Sequence, residues 1–395
     1  MILSDICEFI VDCPHSTAPD EGAGYPLIRT PNIGKGRLIL DGVHRVSEKV
    51  YEERTQRGIP QDGDLIFARE APAGNVALVT NGEKVCLGQR TVLIRPKQEE
   101  VNPEFLVYYL LSPQQQYELL GTANGVTVAH VNLPVIRNLP INIPERCVQD
   151  KIANILSSFD NLIENNQKQI KLLEEAAQRL YKEWFVDLRF PGYEEAEIID
   201  GIPEGWKKQA IGDAFTTVLG GTPSRANASY WDGDIPWINS GEVNSLRIVK
   251  ESEFITELGL KKSSTKLMPK HTTVLAITGA TLGQVSYTEI ETCANQSVVG
   301  IIDEQQEFST YLYLFVSNNI WSMIGKATGG AQQHINKDIV NEYPIILPNE
   351  DIILKLNSVV EPMFSKMADL YIQNMELVEA RDRLLPKLMS GELEV

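Results

Sequence analysis

The chain has 395 residues, 43% of them hydrophobic and 23% charged, a balance that fits globular folding and excludes a disordered or low-complexity polymer. Its formal net charge of −17 runs against the basic excess usual in nucleic-acid binders, and neither half of the chain is basic. The length accommodates two or three domains.

The N-terminal run Met1–Glu8 lacks a basic start and is interrupted by acids, so it does not read as a signal peptide. The densest apolar stretch, Phe105–Leu111, is far too short to span a bilayer, and no membrane partner is expected. Five scattered cysteines (Cys7, Cys13, Cys86, Cys147, Cys293) form no CxxC pair, which argues against a zinc site or a disulfide framework. Reduced thiols in a cytoplasmic protein are the simplest reading.

Along the chain, short apolar runs at Leu65–Ala68, Val76–Val79 and Thr91–Ile94 predict strands, followed by a short helix at Pro103–Leu111. From Lys151 to Pro191 there is no glycine, and about 40 residues at ~1.5 Å each predict a helical rod of roughly 60 Å. Ile152, Phe159, Asn166, Leu173 and Leu180 recur every seven residues, and Ile155, Leu162, Gln169 and Ala176 fall three after the first four. That spacing predicts a coiled-coil seam, with Asn166 and Gln169 as polar interruptions able to fix register; two ordinary bundle helices are the alternative. Pro191-Gly192 and Ile202-Pro-Glu-Gly-Trp206 then mark entry to a second globular segment. Strands are predicted at Thr273–Ile277 and Ser297–Ile302 and a helix at Ser309–Ile324. A second seam follows on Leu356, Met363, Leu370, Leu377 and Leu384, with Gln373 as a polar interruption and Pro362 expected to kink or break it.

The second half repeats the first. Ala129-His-Val-Asn132 aligns with Gln333-His-Ile-Asn336, an offset of 204, and Leu139–Pro144 aligns with Tyr343–Pro348 at the same offset. Cys86-Leu-Gly-Gln89 matches Cys293-Ala-Asn-Gln296, Leu65–Arg69 with Gly74 matches Val274–Thr278 with Gly283, and Leu3-Ser-Asp-Ile6 matches Ile211-Gly-Asp-Ala214. The predicted fold class is α+β. Residues 1–145 and 191–348 form two mixed α/β lobes, each followed by a long helix (146–190 and 349–395), the two helices pairing as an antiparallel coiled coil.

Several strings resemble the specificity subunit of Type I restriction-modification systems. They are Phe159-Asp-Asn-Leu-Ile-Glu-Asn-Asn166, Leu180-Tyr-Lys-Glu-Trp-Phe185, Pro203-Glu-Gly-Trp206, Gly220-Gly-Thr-Pro-Ser224, Gly329-Gly-Ala-Gln-Gln-His-Ile-Asn336 and Leu384-Leu-Pro-Lys-Leu-Met-Ser-Gly-Glu392. The resemblance covers nearly the whole chain. It implies that each lobe is a target recognition domain reading one half of a split, asymmetric sequence in double-stranded DNA. It also implies that the helices separate the lobes and dock two modification subunits. Those subunits methylate adenine with S-adenosylmethionine, and restriction subunits cleave DNA using ATP and Mg. No cofactor is expected in this chain itself. One departure stands out: the first copy has Asp12-Cys-Pro-His-Ser-Thr17 in place of the Gly-Gly-Thr-Pro string.

Catalytic motifs are missing from the sequence. It has no GxGxxG, no GxxxxGK[ST] and no HExxH spacing, so a non-catalytic subunit is expected. Base reading needs Arg or Lys for guanine and Asn or Gln for adenine. The candidates in the second copy are Gln332, Gln333 and His334, with Lys326 and Lys337 for phosphate. The glycine-led loop Gly220, Gly221, Thr222, Ser224 and Arg225 joins them, as do Thr278 and Thr281. In the first copy they are Arg69, Asn75, Arg90 and Asn124. His334 and Asn336, with His130 and Asn132, have an equal alternative as caps of a turn, and Gln89 and Gln296 read as fold elements. With so acidic a chain, local patches and partner subunits must neutralise the phosphates. A coiled-coil scaffold with two lobes that bind something other than DNA is the competing reading.

Overall fold

The computed structural model describes residues 1–80, 82–121, 130–325 and 335–395. They fall into two compact units, Met1–Ile163 with Glu376–Val395, and Glu164–Met375. No helix among the described residues is long and apolar enough to cross a membrane.

The first unit is built on a five-stranded sheet in the order Cys7–Asp12, Thr91–Pro96, Leu65–Ala68, Val76–Leu78, Gly36–Arg37. The last pairing is parallel and the others antiparallel. One face packs Leu65, Phe67, Val92 and Ile94 against Phe105, Leu106 and Tyr109. The other packs Ile66, Ala68 and Leu93 against Ile28, Val85 and Leu87. Burial on both faces is why Leu65-Ile-Phe-Ala68 is a continuous apolar run rather than an alternating one. A smaller sheet sets Tyr25–Ile28 between Arg45–Val46 and Cys86–Leu87.

The second unit repeats this order strand for strand: Thr216–Leu219, Val298–Ile302, Thr273–Ala276, Val285–Thr288, Arg247–Ile248, again with only the last pair parallel. Its smaller sheet sets Trp231–Ile238 between Glu253–Ile255 and Cys293–Ala294. The matched cysteines thus sit in equivalent buried strands. The strand register corrects one alignment by a residue. Leu65 faces Ile94 and Thr273 faces Ile301, so Leu65 corresponds to Thr273, Arg69 to Ile277 and Glu70 to Thr278. The terminal strands of both sheets, Cys7–Asp12 and Thr216–Leu219, were not anticipated.

The two long helices are Arg146–Tyr181, continued by a π turn Lys182–Val186, and Glu350–Ser390. In the first unit Ile152 and Leu156 share a core with Leu388, and Asp160 meets Arg381. In the second unit Asn166 meets Gln373 and Asn374, while Arg247 touches both Glu174 and Phe364. In both units rising numbers on one helix meet falling numbers on the other, so the pairing is antiparallel, as expected.

The seam itself differs from the expected one. Leu162 is 49% exposed and Ala176 is exposed, whereas Leu156, Ile170 and Ala177 are buried and Ile163 is half-buried. The residues that accompany Ile152, Phe159, Asn166 and Leu173 therefore lie four after each, not three. On the partner helix Leu356, Val360, half-buried Met363, Met367 and Leu370 follow the same alternation of four and three. Nor does Pro362 break its helix, which runs unbroken through it and through Pro386. Pro362 and Ser358 are both exposed, so the carbonyl left without its N–H partner faces water, while buried Val360 and Phe364 hold the turn in place.

Candidate nucleic-acid interface

In each copy three loops meet at one end of the large sheet, and the same backbone bonds bring them together. Arg69 donates its N–H to the Arg90 carbonyl (2.9 Å) and Val131 donates to the Arg69 carbonyl (3.0 Å). The equivalents are Ile277 to Ser297 (2.9 Å) and Ile335 to Ile277 (3.2 Å). The loop after the first strand joins the same end. Cys13 donates to Thr91 and Gly220 donates to Val298.

The glycine-led loop of the second copy is a packed element of the fold. A Cβ on Gly220 would lie 2.1 Å from the Asn295 carbonyl oxygen, and one on Gly221 would lie 2.6 Å from the Thr265 nitrogen. Trp237 donates its indole N–H to the Gly221 carbonyl, and Thr222 donates to the Gln296 side chain at 2.6 Å. Ser224 accepts from Trp231 through its carbonyl. Arg225 stacks 3.5 Å above the Trp231 ring and pairs with Glu253, which places it on the smaller sheet. Thr278 and Thr281 sit in the loop after Thr273–Ala276, where Thr281 bonds the Thr278 carbonyl at 3.5 Å. Lys337 opens a short helix capped by Asn336, whose side chain accepts from Ile339 N–H at 2.9 Å. Asn336 is therefore a cap, as its alternative reading held.

In the first copy Arg69 and Arg90 come together, with Asn75 beside them through Ala68 N–H to Asn75 carbonyl (2.8 Å). The Asn75 amide is committed to the Ile33 carbonyl at 2.8 Å. Arg90 holds a left-handed backbone, φ 63°, which is uncommon for a residue other than glycine. Its guanidinium pairs with Glu70 at 2.8 Å. His130 is not a cap. Its Nε2 lies 2.9 Å from Arg69 Nη2 and its Nδ1 bonds Glu70. Gln89 donates to the His15 carbonyl (2.7 Å), the counterpart of the Thr222–Gln296 bond, so both matched glutamines tie down the loop after the first strand. Asn124, Lys326, Gln332, Gln333 and His334 lie outside the described residues.

A model of the Type I restriction modification DNA specificity domain matches residues 1–175 and again residues 203–355. The chain belongs to this DNA specificity family. It is similar to the Type I restriction enzyme MjaIX specificity subunit of Methanocaldococcus jannaschii, 29% identical over 384 residues that cover 95% of this chain and 88% of the relative. It is also similar to the Type I restriction enzyme HindI specificity subunit of Haemophilus influenzae, 25% identical, covering 84% of this chain and 86% of the relative. A solved Type I restriction-modification S subunit from M. genitalium has the same fold at a TM-score of 0.56 and 16% identity, covering 98% of this chain and 95% of that one.

Within this specificity fold the sequence reading missed Glu70 and two arginines that seat the lobes on the helices. Arg37 and Arg247 occupy equivalent positions on the parallel edge strand, opposite Leu78 and Tyr287. Arg37 donates to Asn161 at 2.5 Å. Arg247, fully buried, lies 3.8 Å over Phe364 and 4.6 Å over Tyr313, with Glu174 at 3.5 Å. The available signal was an Arg followed by an aliphatic residue in both copies, Arg37-Leu38 and Arg247-Ile248.

Proposed function

We propose that this chain chooses the DNA target of a Type I restriction-modification complex, with residues 1–145 and 191–348 each reading one half of a bipartite, asymmetric sequence. The observation that carries this reading is the doubled sheet. One strand order occurs twice, with the same loops meeting at one end, but with different side chains at that end. Arg69, Glu70 and Arg90 in the first copy correspond to Ile277, Thr278 and Ser297 in the second. Two lobes of one fold with different chemistry suit two different half-sequences.

The chain's own role in this reading is recognition, and methyl transfer and cleavage belong to partner subunits. Two modification subunits dock on the helices of residues 146–190 and 349–395 and supply S-adenosylmethionine chemistry; restriction subunits supply ATP- and Mg-dependent cleavage. The net charge of −17 then requires those partners to provide much of the phosphate neutralisation. The test is expression with the modification subunit in a host lacking adenine methylation, followed by sequencing of methylated adenines. One split motif that disappears when this chain is omitted supports the reading. Methylation independent of the chain, or none with both present, overturns it.

A further inference from the structure

We propose that Glu70 is a positioning residue that holds Arg90 to read a guanine in the half-site recognised by the first copy; this rests on the DNA-reading function above. The observation is a closed relay of side chains. The Val131 carbonyl accepts from Arg69 Nε at 2.8 Å, and Arg69 Nη2 lies 2.9 Å from His130 Nε2. A guanidinium can only donate, so Nε2 accepts and the ring proton sits on Nδ1. Nδ1 therefore donates to one oxygen of Glu70, and the other oxygen forms an ion pair with Arg90 Nη1 at 2.8 Å. The backbone bond from Arg69 to the Arg90 carbonyl closes the ring.

Each member has the exposure its role needs. The Glu70 side chain is 17% exposed, so it is shielded and fixed, while that of Arg90 is 60% exposed and reaches outward. Arg90 also holds a left-handed backbone, and such strained positions persist where the surroundings over-determine them. With Nη1 engaged by the carboxylate, the Nη2–Nε edge can supply two parallel donors. Guanine offers the matching pair of acceptors, O6 and N7, on its major-groove edge, a pattern no other base presents. An arginine held by a carboxylate loses little rotamer freedom on binding and discriminates better than a loose one. Ile277, Thr278 and Ser297 stand at the corresponding places in the second copy, so the device belongs to one half-site only.

The experiment uses the chain assembled with its modification subunit and reads methylation of a plasmid library randomised across the target. The wild-type complex should require guanine at one position of one half-site. Arg90→Ala should lower that preference by about ten- to a hundredfold. Glu70→Gln should relax the same position, Glu70→Asp should restore most of it, and the other half-site should stay unchanged in all three. Unchanged preference in Glu70→Gln overturns the proposal, as does equal weakening at every position of both half-sites, which marks a purely structural role. A wild-type complex that methylates no split motif overturns instead the DNA-reading function itself.

Discussion

Asp160 on the central helix and Arg381 on the C-terminal helix form an ion pair at 2.5 Å, with side-chain exposures of only 7% and 13%. The second Asp160 oxygen accepts from Tyr108 of the lobe at 2.6 Å. Three elements of the first unit, the two helices and the lobe, are thus joined at one carboxylate. Burial and the neighbouring carboxylate both push the Tyr108 phenol up, so it remains a donor at every physiological pH. Removing Asp160 leaves the Arg381 guanidinium with only the half-exposed Asp382 as counter-charge, at a cost below the about 3–5 kcal/mol of a fully unpaired buried charge. Asp160→Ala should therefore lower the denaturant midpoint of the first unit sharply. The double variant Asp160→Leu with Arg381→Met should recover much of the loss, because an apolar pair removes the unpaired charge. Urea titrations of the full chain, followed by fluorescence, measure both; equal loss in the single and double variants would show that the pair's charge is not the issue.

Further along the central helix, Asn166 donates to Gln373 Oε1 at 2.9 Å and to Asn374 Oδ1 at 3.0 Å. Asn166 and Asn374 occupy seam positions that would otherwise take leucine. Amides in a seam cost stability and specify register, because a shifted pairing leaves them unsatisfied. Asn166→Leu with Asn374→Leu should raise the thermal midpoint. It should also let the helices slip, detectable as loss of a single distance between spin labels placed on the two helices of the second unit. A sharp distance distribution in the double variant would show that other contacts hold the register.

Gly220 tests whether the glycine-led loop serves the fold or a ligand. The steric cost of a Cβ only 2.1 Å from the Asn295 carbonyl falls on the backbone, which has little room to give. Gly220→Ala should destabilise the second unit by about 1–3 kcal/mol, visible in calorimetry with no DNA present. Gly279→Ala has open space around the added carbon but a positive φ of 73°, so its smaller loss should come from backbone strain. If Gly220→Ala melts like wild type while recognition fails, the loop acts by contact instead.

These cases show how far the sequence could be read. The repeat was legible because both copies bury the same strands on both faces, leaving matched apolar runs such as Leu65–Ala68 and Thr273–Ala276. The departure at Asp12–Thr17 hid a real equivalence. Cys13 and Gly220 make the same backbone bond, and Gln89 and Gln296 tie down the same loop, although one link uses a carbonyl and the other a hydroxyl. The seam was misplaced by one residue because apolar residues stand both three and four after the sevenfold positions, as with Ile155 and Leu156. Only packing decides between them. The Glu70 relay was illegible because His130 joins Arg69 and Glu70 across about 60 residues of chain.

His271 gives the second unit a pH response with a defined sign. Burial holds its imidazole below the ordinary value of 6.5. Nδ1 meets Gln306 at 3.1 Å, the ring stacks on Tyr287, and Glu289 is 3.9 Å from Nε2, with Lys270 and Glu361 acting at longer range. The folded state binds this proton less readily than the unfolded state, so stability is present above 6.5 and falls as pH drops through 6.5 towards the lower folded value. Burial pushes Glu289 the opposite way, above 4.5, so its contribution grows on acidification at lower pH. As pH falls through 6.5 the histidine's contribution to the thermal midpoint of the second unit should therefore fall. His271→Gln should flatten that slope; a slope that persists in the variant assigns it to other groups.

Replacing residues 1–145 with the equivalent segment of another specificity subunit should change one half of the target and keep the other, because the two lobes are separate copies. The structure adds a condition. The first lobe shares its core with Ile152, Ala153 and Leu156 of the central helix and Leu388 of the C-terminal helix. It also binds the central helix through Arg37 to Asn161, Tyr108 to Asp160 and Asn102 to Asp150. A donor segment lacking the counterparts of Arg37 and Tyr108 leaves Asp160 with one partner fewer beside a helix pair. Two chimeras should therefore differ. One whose donor keeps those two side chains should fold like wild type and methylate a hybrid motif. One whose donor lacks them should lose stability by an amount that restoring arginine and tyrosine at those two positions recovers, with the new half-sequence unchanged. Sequencing of methylated adenines with paired melting curves reads both outcomes, and loss of both half-sites in a folded chimera would rule out independent lobes.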